Sequence, residues 1–259
     1  MKVVILCGGL GTRMREETEF RPKPMVEIGG RPILWHIMKS YAHYGFCDFV
    51  LCVGYKGQII KEWFLNYEAW NSDFTLTLGE PGSVEFHGGH LETGWRVTVA
   101  DTGFETMTGG RVKRVQRYVG DDDVFMVTYG DGLSDVNIGD LLAFHRRHGK
   151  LATVTATRPL SRFGVLDVDA DQMVRTFREK PVADDWVNSG FFVFGRDFFD
   201  YLNEESILER EPLEALARDE EIMAYRHDGF WRPMDTYRET LLLNELWASG
   251  KAPWAVWER

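Results

Sequence analysis

Two stretches near the amino terminus carry residue types that suit phosphate chemistry: the loop Gly8-Gly9-Leu10-Gly11-Thr12-Arg13, and Lys23 held between Pro22 and Pro24. Small side chains let successive backbone N–H groups approach phosphate oxygens. The fixed φ of proline stiffens the backbone on both sides of the lysine. The loop does not fit the dinucleotide fingerprint, because Met14 stands at the third glycine position. It is not a Walker loop either, since no Lys-Ser/Thr pair follows. Taken singly, the loop reads equally as a tight turn and the lysine as a solvated side chain. Together with Arg13, they form three cationic or N–H-rich elements after one strand, which suits a triphosphate better than a neutral ligand.

Carboxylates follow in two places. Asp131 sits between glycines at the end of the apolar run "VFMVTYGDG", where open backbone suits a Mg²⁺ ligand and an Asp-Gly turn is the plainer alternative. Asp235, in "FWRPMDT", precedes a helical pattern and reads alternatively as an N-cap. Glu179, Lys180 and Asn188, in "REKP" and "VNSG", suit sugar hydroxyls and a sugar phosphate. His87 and His90 flank a glycine pair with no third ligand nearby, so "HGGH" reads as a polar loop.

These groups need a scaffold. "KVVILC" reads as a buried parallel strand entering the glycine loop. In "PILWHIMKSYAHYG", Ile33, Leu34, Ile37, Met38 and Tyr41 recur at helical spacing, with Pro32 in the first turn and Gly45 as the cap. The strands "DFVLCV" and "DVFMVTYGDG", with the helices "KGQIIKEWFLNY" and "IGDLLAFHRRHG", repeat that alternation. It predicts an α/β fold with a doubly wound, mostly parallel, Rossmann-like sheet. Ligands in such sheets bind at the carboxyl ends of the strands, where the glycine loop and "YGDG" fall. Strand-like "TVTATR", "FGVLDVD", "QMVRTFREK" and "VNSGFFVFG" predict a β-rich sugar-binding portion. The expected organisation is a single domain over 1–259, with a nucleotide part to about residue 150, an insertion over about 80–110 as loop or hairpin, and a sugar-phosphate part from about 151. The tail "GKAPWAVWE" carries two tryptophans that are expected to need a partner surface.

Composition narrows the class. A chain of 259 residues, 44% hydrophobic, supports a large core. A formal net charge of −10 argues against nucleic-acid backbone or an anionic membrane as partner. No run is long enough to span a membrane or patterned as a signal peptide, so a cytoplasmic location is expected. Cys7, Cys47 and Cys52 are odd in number and lack metal spacing, which fits reduced thiols.

The set "GGLGTR", "PKP", "YGDG", "EKP" and "MDT", in that order across the whole chain, resembles the sugar-1-phosphate nucleotidylyltransferases. The stretches "KPMVEIGGRPILWHIMK", "GYKGQIIKEWF", "DTGFETMTGGRVKRV" and "GKAPW" are similar to members of that family that act on CTP and glucose 1-phosphate. The resemblance implies transfer of CMP to α-D-glucose 1-phosphate, giving CDP-glucose and pyrophosphate, towards the dideoxy sugars of bacterial O-antigens. It implies Mg²⁺ as cofactor, held by Asp131 and Asp235, and a homo-oligomer. Nucleotide contacts carried over fall on Leu6, Cys7, Gly8, Gly9, Leu10, Gly11, Thr12, Arg13, Lys23, Thr106, Arg111 and Gly130. Arg13, Lys23 and Asp131 are catalytic, and Glu179, Lys180 and Asn188 hold the sugar phosphate. Arg111 is the expected donor to the cytosine O2. Two positions depart from the family's usual residues: Cys7 stands for alanine and Ser189 for glycine.

Overall fold

The computed structural model describes residues 1–80, 82–159, 163–179 and 181–258, with the side chains of Arg13, Arg15 and Glu16 outside the description. The run Val3–Cys7 is a strand with every residue buried. It pairs in parallel with Asp48–Val53 on one side and Val124–Tyr129 on the other. A strand covered on both faces has no solvent side to fill with polar residues, which is why the run is apolar without alternation.

Seven strands form the main sheet, in the order Ile222–Arg226, Ala152–Thr157, Val187–Gly195, Val124–Tyr129, Val3–Cys7, Asp48–Val53, Arg96–Asp101. Only Val187–Gly195 runs against its two neighbours. Its amino-terminal end therefore lies at the same sheet edge as the carboxyl ends of the others. The helix Ile33–His43 follows Pro32 and packs Ile33, Leu34, Ile37, Met38 and Tyr41 into the core. It ends at Gly45, with φ of +85°, where Gly45 N–H donates to Ala42 O at 2.9 Å and Phe46 N–H to Tyr41 O at 3.1 Å. Those two bonds are the Schellman closure that a glycine past the last turn permits.

Three sequence expectations change. Within the stretch read as an insertion, Arg96–Asp101 is a parallel strand at the sheet edge, in register with Asp48–Val53. Its pattern is only half-apolar because it has one neighbour and partial cover. Ahead of it a small hairpin pairs Asp73–Thr75 with Glu85–His87. Second, "FGVLDVD" and "QMVRTFREK" contribute a separate two-stranded ribbon, Val165–Val168 with Val174–Arg178, outside the main sheet. Third, the tail tryptophans already have a partner within the chain. Trp254 is fully buried and its Nε1 donates to His36 Nδ1 at 3.3 Å. Trp257 meets Trp35 edge-on at 5.7 Å. Among the described residues, no helix is long and apolar enough to cross a membrane.

Candidate active site

The glycine loop leaves the carboxyl end of the first strand, and Gly130 leaves the end of the neighbouring one. Gly130 N–H donates to Leu6 O at 3.0 Å, which locks the two exits together. A Cβ at Gly130 would lie 2.9 Å from Leu6 O and 3.0 Å from Pro24 Cγ, so glycine is required by the packing. Gly11 has φ of +63°, a left-handed conformation that glycine adopts without strain. Gly9 is exposed, with no atom within 4 Å of a would-be Cβ, so the loop is open at this position.

Lys23 opens a single tight turn, Lys23–Met25, and is 8% exposed. Its Nζ donates to Asp131 Oδ2 and Asp235 Oδ1, each at 2.7 Å. These partners are 108 and 212 residues away in sequence. A local strand pair brings them together: after Asp131 the chain turns into Gly132–Ser134, which pairs antiparallel with Trp231–Pro233. Met234 N–H then donates to Asp131 O at 2.8 Å, setting Asp235 beside Asp131. Burial alone would lower the Lys23 pKa, but the two carboxylates outweigh it and hold the ammonium above its ordinary value.

The capping alternative for Asp235 fails on inspection of the next turn. Thr236 is the N-cap of Tyr237–Ala248, closed by Glu239 in a capping box. The Asp235 N–H donates to Glu239 Oε2 at 2.8 Å, and its carboxylate turns to Lys23 instead.

Arg111 lies in the helix Thr108–Arg114 and is 4% exposed. Its Nη1 donates to Thr102 Oγ1 and Gly103 O at 2.8 Å and to Val53 O at 3.3 Å. Its Nη2 donates to Gly8 O at 3.0 Å and Phe104 O at 3.2 Å. The terminal hydrogens of the guanidinium thus brace the ends of three chain segments around the glycine loop. Arg111 therefore acts as a brace within the protein while also lining a cavity, where a base contact is expected from the sequence. A Cβ at Gly8 would lie 2.1 Å from Arg111 Nη1, and one at Gly54 would lie 2.5 Å from it. Both glycines make room for the guanidinium. Burial lowers the Arg111 pKa, and burial likewise raises that of the Cys7 thiol, which leaves Cys7 a neutral wall of the pocket.

A cavity of 390 Å³ opens over this arrangement. It is lined by Leu6 through Thr12, Lys23, Thr106, Arg111, Gly130 and Asp131, which unites the expected nucleotide residues apart from the Arg13 side chain. Sequence reasoning missed Pro24, Phe104, Glu105, Met107, Thr108 and Tyr129, which also line it. Tyr129 had a signal, since it is the last strand residue before Gly130. Pro24 adjoins Lys23, and the others lie on the segment 104–108 that leads into the Arg111 helix and is held by Arg111 through Phe104 O. A larger cavity of 580 Å³ lies beside the edge strand, over Phe64, Tyr67, His90, Trp95 and Val97, two strands along the sheet from the strand that enters the glycine loop. Its two carboxylates, Glu68 and Glu92, flank His90, and Glu92 also pairs with Lys39; no glycine loop lines it.

On the flank where a sugar phosphate is expected from the sequence, Asn188 Oδ1 accepts from Gly190 N–H at 2.8 Å, and Tyr129 OH donates to Glu209 Oε1. Glu209 Oε2 also accepts from Thr108 Oγ1 at 2.6 Å, joining the wall of the 390 Å³ cavity to this flank. Ser189 is buried, its Oγ donating to Thr155 O at 2.8 Å, while Trp231 Nε1 donates to Ser189 O at 2.8 Å. The hydroxyl is thereby absorbed into the sheet. Glu179 is exposed near the Val165–Arg178 ribbon, and Lys180 lies outside the described residues.

The glycine loop, Lys23 and Asp131 thus line one cavity at the strand ends, with Asp235 joined to them through Lys23. The family model described as nucleotidyl transferase matches residues 2–232, and the chain belongs to that family. It is 54% identical to the glucose-1-phosphate cytidylyltransferase of Salmonella typhi over 260 residues, covering 100% of both chains. It is 47% identical to the probable glucose-1-phosphate cytidylyltransferase of Bacillus subtilis (strain 168), over 99% of this chain and 100% of that protein. The fold also matches the crystal structure of HddC from Yersinia pseudotuberculosis, with a TM-score of 0.68 at 22% identity, over 95% of this chain and 99% of that one. The doubly wound, mostly parallel sheet expected from the sequence is the observed fold.

Proposed function

We propose that this chain transfers CMP from CTP to α-D-glucose 1-phosphate, forming CDP-glucose and pyrophosphate. The observation that carries the reading is Lys23 meeting Asp131 and Asp235 beside the glycine cradle, in a chain similar along its whole length to enzymes named for this reaction. A phosphate oxygen of the sugar phosphate attacks the α-phosphorus of CTP. The bond from that phosphorus to the bridging oxygen breaks, and pyrophosphate leaves with the electron pair. No protein nucleophile is needed; the chain's work is positioning and charge neutralisation.

In this reading the backbone from Gly8 to Arg13 cradles the triphosphate, and Lys23 meets charge that grows on the α-phosphate. Glu179 and Asn188 orient the glucose hydroxyls and Lys180 the incoming phosphate. Thr106 and Gly130 bound the nucleoside. Asp131 and Asp235 offer hard oxygen donors that suit Mg²⁺, which keeps several waters and takes phosphate oxygens as further ligands. Such an ion supplies charge neutralisation on the phosphates. Among the described residues no cluster of three or more His, Cys, Asp or Glu offers a rival metal site. The hairpin Asp73–Thr75/Glu85–His87 is exposed along both strands, with Leu78 at 91% and Leu91 beyond it at 87%. An isolated two-stranded hairpin is marginal in water, which supports assembly with further copies of the chain.

The test is pyrophosphate release with glucose 1-phosphate and a panel of CTP, UTP, dTTP, GTP and ATP. Release with CTP alone is expected. Equal use of UTP or dTTP overturns the cytidylyl assignment.

A further inference from the structure

Lys23 stands where a divalent ion held by Asp131 and Asp235 would have to be. Its Nζ is 2.7 Å from an oxygen of each carboxylate; Asp235 is buried at 8% exposure and Asp131 is part-buried. An ammonium and a divalent cation cannot share that position: each needs the same oxygens, and their charges repel at short range. The same ammonium also lines the 390 Å³ cavity that contains the glycine cradle. The backbone of Lys23 is fixed between two prolines, with Met25 N–H on Pro22 O at 2.8 Å and Val26 N–H on Lys23 O at 3.1 Å. Any exchange therefore falls to the four-carbon stem, not to the main chain.

We propose that Lys23 is the resident counter-ion of the Asp131/Asp235 pair in the nucleotide-free protein, and that it moves to the phosphate oxygens when metal and nucleotide enter together. Two neighbouring carboxylates, one buried and one part-buried, are unfavourable without a cation between them, so Lys23 keeps the empty site assembled. The same contact makes bare metal a poor ligand, because entry has to displace an ion-paired ammonium that as yet has no phosphate to go to. The triphosphate supplies that alternative partner. Metal and nucleotide then bind with strong mutual dependence, and Lys23 reports the presence of one to the other. The inference rests on the proposed role of the two aspartates as metal ligands.

The experiment is Mn²⁺ titration of the full chain without nucleotide, read by the electron paramagnetic resonance of free Mn²⁺. Wild type, Lys23→Met, Lys23→Gln, Lys23→Arg, Asp235→Asn and the double variant Lys23→Met/Asp235→Asn are compared, each first checked for a cooperative thermal transition. Lys23→Met and Lys23→Gln are expected to bind Mn²⁺ at least tenfold more tightly than wild type, with Lys23→Arg remaining weak. Asp235→Asn is expected to abolish the gain in the double variant. Lys23→Gln retains a hydrogen-bond donor to the carboxylates, so it serves if Lys23→Met does not fold. If both neutral variants bind Mn²⁺ no better than wild type while Asp235→Asn binds it less well, the counter-ion role is overturned and the metal assignment stands. If Asp235→Asn changes nothing in either background, the metal assignment itself falls and takes the inference with it.

Discussion

Replacing Arg111 with alanine separates a brace from a base contact. The substitution removes one charged group that donates to four carbonyls and a hydroxyl. The losses are unequal. Val53 O keeps the Thr102 N–H at 2.9 Å and the Thr102 hydroxyl at 2.8 Å, and Gly8 O keeps only the Tyr55 N–H at 3.4 Å. Gly103 O and Phe104 O have no other protein donor among the described residues, but Phe104 is 57% exposed, so water takes over part of the loss there. A hydrogen bond from a charged group contributes roughly 1.5–3 kcal/mol net. With water replacing the outer partners, a total of about 3 kcal/mol is expected. For a chain of this size each kcal/mol shifts the melting temperature by about 2–4 °C, so Tm should fall by about 6–12 °C. Loosened strand exits should raise KM for CTP about ten- to a hundred-fold. Arg111→Lys should recover little of either, since one ammonium cannot span acceptors on both sides of the loop. Differential scanning calorimetry alongside steady-state kinetics gives both numbers. A Tm within about 2 °C of wild type, with a raised KM, would refute the brace and restore Arg111 as a direct contact to the base.

Lys23→Ala should lower kcat on the order of 10²-fold, because charge meeting charge that develops in the reaction stabilises the transition state selectively; an unchanged kcat with only KM raised removes that role. Asp131→Asn and Asp235→Asn should each raise the Mg²⁺ concentration needed for half-maximal rate, and a metal titration identical to wild type in both sinks the pairing. Burial holds His36 at a pKa of about 4, neutral between Ile28 O and Trp254 Nε1. The unfolded chain protonates this group near ~6.5, so its contribution is complete above that pH and about 3 kcal/mol is lost as the pH falls to about 4. Urea unfolding at pH 7 and pH 5 should show this decline, and His36→Gln should flatten the slope without abolishing it, since His145 is also held down to about 4 by burial. Identical slopes in variant and wild type would show that His36 is not the sensor.

Local patterns carried much of this fold because they were locally determined. The Val3–Cys7 run, the Pro32-to-Gly45 helix and the glycine loop follow from burial, capping and backbone freedom, each readable within a dozen residues. The carboxylates Asp131 and Asp235 were also legible as types, though each had a plausible turn or cap reading. For Asp235 the cap reading falls because Thr236 takes the cap, a choice between adjacent residues that propensity does not make. The brace by Arg111 was not legible, because four of its five acceptors are backbone carbonyls, which leave no trace in side-chain identity. Trp254 was misread for a related reason: its cover is His36 and Trp247, and distant packing has no local pattern.

The junction at Lys23 also imposes an order on the making of the molecule. Residue 23 leaves the ribosome long before Asp235, which lies 212 positions later; at about 5–20 residues per second that gap lasts roughly 10–40 s. Throughout it the lysine lacks one of its two carboxylates, and the wall formed by Trp231–Pro233 against Gly132–Ser134 does not exist. The amino-terminal strands and helix can form early, but the cation stays hydrated until the carboxyl-terminal third arrives. A chain released before that point is a folded layer without a reaction centre, so premature termination yields an inert fragment and not a weakened enzyme.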